Sequence, residues 1–165
     1  PMVTNFHELY QKYAQDIYRF AYWLCGNAQD AEDITSETFV RALTSIDKIK
    51  AETVKGYLLT IAKNLVYKKS NREKRFVPLE AGFNEPLMKP EQTAENSASL
   101  QTAMRFIQTL PEVDRAALVL RLQDDLSYEE IANILNISLA AAKVKIHRAR
   151  LKLTEYILQL YVQAR

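Results

Sequence analysis

The stretch Asp124–Leu153, DDLSYEEIANILNISLAAAKVKIHRARLKL, constrains the fold more than any other part of the chain. Ser127 and Glu130 have the spacing of a capping box, in which each side chain satisfies a free backbone N–H of the first helical turn. Ile131, Ile134 and Leu135 follow at helical spacing. Asn136 suits the left-handed residue that ends a helix, and Ser138 can cap a second one. On that second helix Leu139, Ala142, Ile146, Ala149 and Leu153 share one face. Ala140, Ala141, Val144, His147 and Arg148 fall opposite. Lys143, Lys145, Arg150 and Lys152 flank the two faces with no acid between them. A short helix, a tight turn and a basic second helix describe a helix-turn-helix, whose second helix can enter a major groove with its flanking cations on phosphates. The same pattern also fits an ordinary helical hairpin with a solvated basic face.

Glycine is scarce: Gly26, Gly56 and Gly82 are the only ones in 165 residues. With long apolar periodicities, this predicts an all-α chain of one domain or two small ones. The net charge is only +2, so the placement of charge matters more than its sum. No apolar run approaches the roughly 18 residues of a membrane span, so no membrane insertion is expected. No signal sequence is visible at the N-terminus. Cys25 is the only cysteine, which excludes an intrachain disulfide and fits a small core residue in a reducing, cytoplasmic setting. His7 and His147 are the only histidines and lie far apart, and there is no metal-ligand spacing and no glycine-rich phosphate loop. No catalytic residue, metal or cofactor is therefore expected.

Taken in order, Asn5 with Glu8 opens a first helix whose stripe is Phe6, Leu9, Tyr10, Tyr13, Ile17, Phe20, Ala21 and Leu24, ended by Gly26. A second helix starts near Asn27 and runs to about Leu43, with Ala31, Ile34, Thr38, Phe39 and Ala42 inward. Asp30, Glu32, Asp33 and Glu37 precede its first cation, Arg41. Acids near a helix N-terminus are favourable in themselves. An acidic docking surface for a basic partner explains the same residues. Residues 44–52 read as a loop. A third helix spans about Thr53–Arg75, with Leu58, Ile61, Ala62 and Leu65 apolar and Tyr57, Thr60, Asn64, Tyr67, Lys68, Asn71 and Arg75 on another side. Lys63, Lys68, Lys69, Arg72, Lys74 and Arg75 face only Glu73 in its second half. Dipole compensation accounts for a cation or two there. Cations interleaved with Tyr and Asn suit a nucleic acid with exposed bases. Pro78, Gly82, Pro86 and Pro90 then mark a flexible linker over 76–97. A helix over about Ser99–Leu110, with Leu100, Ala103, Met104 and Ile107 inward, and another begun by Pro111, with Val113, Ala116, Ala117 and Leu120, lead into the helix-turn-helix.

These segments together resemble a bacterial sigma factor of the extracytoplasmic-function (ECF) group. DAEDITSETFVRAL, Asp30–Leu43, looks like that family's core-polymerase-binding helix. GYLLTIAKNLVYKKSNREKR, Gly56–Arg75, is similar to its -10 helix, with the usual W-L-x-x-I-A-x-N present as Tyr57-Leu58-Leu59-Thr60-Ile61-Ala62-Lys63-Asn64. Leu110-Pro111 through Arg115, then LSYEEIANILNIS and KVKIHRARLKL, resemble its -35-binding domain. The sequence departs from the family at Tyr57, where tryptophan is usual. It departs again at Ala140–Ala142 and Val144, where Gly-Thr-Val and Ser are frequent.

The resemblance implies a protein that binds core RNA polymerase, recognises promoter DNA and helps open it, the polymerase doing the chemistry. Region 2 would span about 3–75, with Asp30, Glu32, Asp33 and Glu37 toward polymerase and Tyr57, Thr60, Asn64, Tyr67, Lys68, Asn71 and Arg75 toward the -10 element. Region 4 would span about 98–165. Arg121, Tyr128, Glu129, Lys143, Val144 and Arg148 match family positions at the -35 duplex, and Ala140, Ala141 and His147 project from the same helix. Relatives are often held by an anti-sigma factor. A stand-alone helix-turn-helix regulator explains the second half of the chain but not the acidic and basic helices of the first; a helical adaptor without nucleic acid contact explains neither basic helix.

Overall fold

In the computed structural model, residues 5–45, 54–73, 94–123 and 125–164 are described. Among them there are helices and no strands. The chain divides into two compact units, residues 1–89 and 90–165. The linker expected over 76–97 lies outside the described residues up to its end, where helix begins earlier than expected, at Ala94 rather than near Ser99.

The first unit holds α1 (Phe6–Cys25), α2 (Ala28–Leu43) and α3 (Val54–Glu73), each packed on the other two. Local chemistry sets the ends of α1 and α2. The Asn5 side chain accepts from the Glu8 N–H at 2.8 Å, and the Gly26 N–H donates to the Tyr22 carbonyl from a left-handed conformation, φ 78°. Asn27 caps α2 by accepting from the Asp30 N–H, also at 2.8 Å. Leu9, Ile17, Phe20, Phe39, Leu58 and Leu59 are fully buried at the centre. Tyr10, expected in the buried stripe, is exposed, and Phe6 and Tyr13 are half-buried, because they lie at the edge of the core: Tyr10 stands edge-on to buried Phe39 with ring centroids 5.0 Å apart, and Phe6 does so at 6.3 Å. The hydroxyls of Thr35 and Thr38, buried on α2, donate to the Ala31 and Ile34 carbonyls at 2.7 Å, which removes the cost of burying them.

The buried stripe of α3 differs from the expected one. Val54, Leu58, Leu59, Ala62, Lys63 and Val66 face the core, while Ile61 and Leu65 are half-exposed. The helix packs against α1 and α2 at once, so its covered face is set by two neighbours rather than by the densest apolar row. Lys63 is 6% exposed. Its stem lies in the core while its ammonium reaches the Tyr67 ring, 5.7 Å from the centroid. Burial holds its pKa below the usual lysine range.

The second unit holds α4 (Ala94–Thr109), α5 (Glu112–Gln123), α6 (Tyr128–Leu135) and α7 (Leu139–Gln163). Helices α5, α6 and α7 pack on one another around Leu118, Leu120, Ile131 and Ile146. Helix α4 buries Phe106 and Ile107, Leu110 just after it is buried too, and Phe106 meets Tyr156 of α7 at 5.3 Å. Leu100 is exposed, contrary to its expected inward position. Pro111 sits just before α5 and its carbonyl accepts from the Arg115 N–H at 2.8 Å. Both bonds of the capping box form: Ser127 N–H to Glu130 at 3.0 Å, and Glu130 N–H to the Ser127 hydroxyl at 3.1 Å. Asn136 adopts φ 53°, and the Ile137 N–H returns to the Ala132 carbonyl at 3.0 Å. Ser138 then caps α7 through the Ala141 N–H at 3.0 Å. Beyond Leu153 the helix continues with Ile157, Leu158, Tyr161 and Val162 exposed.

Asp114 of α5, only 6% exposed, pairs with Lys145 of α7 at 3.2 Å. Lys145, expected to flank the DNA-side face, is thus turned inward. Asp114→Asn is expected to lower the stability of the second unit by about 1–3 kcal/mol, the usual loss for a part-buried hydrogen bond to a charged group. Trp23, the only tryptophan, lies in the first unit. Thermal unfolding followed by far-ultraviolet dichroism should therefore shift, while the Trp23 fluorescence transition stays in place.

Candidate nucleic-acid interface

Each unit carries one candidate surface. In the second unit, burial of Ala142, Ile146 and Ala149 fixes the rotation of α7. Ala140, Lys143, Val144, His147 and Arg148 are consequently exposed, with Val144 at 45%, and Ala141 is half-buried beside them. Leu139 and Leu153, expected on the inward face, are exposed and half-buried respectively: the buried stripe of α7 is confined to Ala142, Ile146 and Ala149 between them. A side of α7 is thus free along its first three turns, held by the capped turn from α6. The apolar members of this face have no hydrogen-bonding side chain; the donors on it are Lys143, His147 and Arg148.

The structure also brings together three residues that lie apart in sequence. The Arg121 guanidinium stacks on the Tyr128 ring at 4.6 Å, and the Lys143 ammonium lies 6.0 Å from the same ring centroid. Arg121 is held there by donating to the Leu126 carbonyl at 2.7 Å. Two cations against one ring at the start of α6 give a compact positive corner beside the recognition face, suited to a phosphate. Glu129 is exposed in the first turn of α6.

In the first unit, α3 exposes Asn64, Lys68 and Asn71 in one row. Tyr57, Thr60 and Tyr67 of the expected set are half-buried. Thr60 donates its hydroxyl to the Gly56 carbonyl at 2.8 Å, which engages it with its own helix. Arg75 lies outside the described residues.

The four acids of α2 do not form one surface. Asp33 and Glu37 are exposed; Glu37 pairs with Arg41 at 3.1 Å, and Asp33 accepts from Gln29 at 3.3 Å. Glu32 is half-buried on the α1 side, where burial first, then its charge and that of Tyr22, raise the pKa of Tyr18. Asp30 pairs with Lys69 of α3 at 2.5 Å and also accepts from the Asn27 amide at 2.7 Å. Burial lowers the Lys69 pKa, but the hydrogen bond and charge of Asp30, with the charge of Asp33, outweigh it and leave the group raised. The pairing of Asp30 with Lys69 had no signal in sequence, since the two residues belong to different helices. Between α2 and α3 runs an open groove of about 490 Å³ with Asp33 and Glu37 on one wall and Lys68, Lys69 and Arg72 on the other.

Among the described residues no group of three or more His, Cys, Asp or Glu is placed to hold a metal ion, and no helix is long and apolar enough to cross a membrane.

Comparison with known proteins gives both units a match. Sigma-70 region 2 matches residues 9–76 and Sigma-70 region 4 matches residues 100–153. The chain is 36% identical to the ECF RNA polymerase sigma factor SigE of Mycolicibacterium smegmatis, over 94% of this chain and 62% of that protein. It is 30% identical to the RNA polymerase sigma factor YlaC of Bacillus subtilis, over 90% of each. Among solved structures, the sigma factor RpoE of Bartonella quintana, in complex with the anti-sigma factor NepR, shares the fold with a TM-score of 0.75 at 22% identity, over 94% of this chain and 98% of that one. A stand-alone regulator would leave the region 2 match unexplained. With region 2 and region 4 in order on the two helical units, and with 32% identity to the ECF RNA polymerase sigma factor SigM of Bacillus subtilis over 88% of this chain and 91% of that protein, the chain belongs to the ECF group of the sigma-70 family of sigma factors.

Proposed function

We propose that this sigma factor docks on core RNA polymerase through the exposed acids of α2, Asp33 and Glu37, meets the -10 element through α3, and reads the -35 duplex with α7. The polymerase supplies the chemistry of RNA synthesis. The observation that carries the reading is the free side of α7: its buried residues are confined to Ala142, Ile146 and Ala149, which leaves Ala140, Lys143, Val144, His147 and Arg148 available to a major groove. On α3 the row Asn64, Lys68 and Asn71 offers amides and a cation to unpaired bases and phosphates. An anti-sigma factor is a further partner, in keeping with the RpoE–NepR complex. Region boundaries near residue 75 and residue 98 follow from the polar, proline-bearing composition between them.

Asp30 is left out of the proposed polymerase contact because it is bound to Lys69 of α3, and Glu32 because it is half-buried, whereas Asp33 and Glu37 bond to neighbours on α2 and stay exposed. Reversing Asp33 and Glu37 together to lysine should weaken core binding by about tenfold or more while leaving helicity intact. The measurement is competition for fluorescently labelled core; unchanged affinity returns both acids to plain solvation.

The chemistry of α7 yields a second expectation. Ala140, Ala141 and Val144 can be used productively in a major groove only against thymine methyls, its one apolar feature. Replacing individual -35 thymines by uracil removes only that methyl, and at least one such change should reduce transcription. Full tolerance of every replacement would mean that these residues merely permit close approach. Arg148→Ala, tested across -35 variants, separates a guanine contact, which loses about 1–3 kcal/mol at one position, from a phosphate contact, which weakens all sequences alike.

A further inference from the structure

The Asp30–Lys69 pair does more than neutralise two charges. Asp30 sits in the first turn of α2, locked by two bonds to Asn27: its backbone N–H donates to the Asn27 side chain at 2.8 Å, and its carboxylate accepts from the Asn27 amide at 2.7 Å. Its other oxygen holds Lys69 at 2.5 Å. Lys69 directly follows Lys68 in the exposed row of α3, so the pair joins the end of the polymerase-facing helix to the flank of the DNA-facing one. Near its other end α3 is held by Lys55 to Asp16 of α1 at 3.8 Å. The exposed row, Asn64 and Lys68, thus lies on a helix pinned near both ends. The Lys69 side chain is about one-third exposed and that of Asp30 less than one-fifth, so the bond is only partly screened by water. Burial opposes the charge on Lys69, but the hydrogen bond and charge of Asp30, with a smaller contribution from Asp33 one turn along α2, favour it.

We propose that Lys69 is a positioning residue for promoter opening: through Asp30 it fixes α3 against α2, so that docking of polymerase on α2 determines where Asn64 and Lys68 meet the separating strands. This rests on the assignment of α2 to polymerase and α3 to the -10 element. Two ligands bound to adjacent helices influence each other only as far as the contact between those helices is rigid, and the coupling is reciprocal. Without the tie, α3 is held on this flank of α2 by the apolar packing of Leu58, Leu59, Ala62 and Val66 alone, and occupancy of α2 sets the orientation of the DNA-facing row less tightly.

The rival role for Lys69 is that of a cation for DNA phosphate, and the two roles give opposite signs in one variant. Asp30→Asn keeps the side chain's shape and its place beside Asn27 but releases Lys69. A phosphate-binding Lys69 would then bind DNA more tightly, whereas a positioning Lys69 would have lost its anchor. The experiment uses holoenzyme assembled from full-length chain and core polymerase, with permanganate reactivity of -10 thymines read at saturating promoter occupancy. Lys69→Met and Asp30→Asn are each expected to lower the open fraction at least roughly fivefold at unchanged core affinity, the lower end of coupling between linked sites. Lys69→Arg should retain opening. Asp30→Asn carries the same test should Lys69→Met fail to fold. Normal thymine reactivity in the folded variants, or tighter promoter binding by Asp30→Asn with opening intact, overturns the proposal. Asn64→Ala combined with Lys68→Ala, run alongside, reports on the α3 assignment itself. Normal opening there removes that assignment and the proposal with it, while a defect there with normal opening in the Lys69 and Asp30 variants removes the proposal alone.

Discussion

Burial of three small or aliphatic side chains, Ala142, Ile146 and Ala149, governs what the second unit can present. Small residues let α7 approach α5 and α6 closely, and a narrow buried stripe leaves most of the helix circumference free. The rotation is then reinforced by polar detail: Lys145 is drawn to buried Asp114, and Ser138 and Asn136 set the angle of entry. A bulkier stripe would push the helix outward and turn its exposed residues away from the positive corner made by Arg121, Tyr128 and Lys143.

The first unit obeys a different constraint. Helix α3 is covered by two neighbours rather than one, and a buried lysine lies within the covered stripe. Lys63 remains tolerable because its stem is apolar and its ammonium finds the Tyr67 ring. Two ion pairs tie α3 to its neighbours, Lys55 to Asp16 and Lys69 to Asp30, and exposed Asn64 and Lys68 lie between them.

Caps and turns were legible in the sequence because their chemistry is local. Asn5, Gly26, Asn27, Ser127, Asn136 and Ser138 each act on backbone groups within a few residues, and each is found in that role. The inward stripe of α2 was equally readable, since Ala31, Ile34, Thr38, Phe39 and Ala42 match one helical face. The stripe of α3 was not, because apolar and basic residues alternate through it and tertiary packing decided which row to cover. Long-range pairs were out of reach altogether: neither Asp30 with Lys69 nor Asp114 with Lys145 leaves a periodic trace. As a result the free side of α7 could be named almost residue by residue, whereas the acids of α2 divided only in three dimensions. Two of them, Asp30 and Glu32, are half-buried, and two, Asp33 and Glu37, stay exposed.

The absence of donors and acceptors at Ala140, Ala141 and Val144 bears on how such a chain diversifies. Ala140 and Val144 are exposed, so replacing either by serine, threonine or asparagine removes no core contact. Stability places little restriction on what these positions become. On the proposed reading of α7, positions without donors or acceptors can acquire a new base preference by one added group, with no old hydrogen bond to dismantle first. After gene duplication, paralogues built on this helix could part company in promoter choice by single codon changes while keeping the same polymerase, the same fold and the same opening machinery.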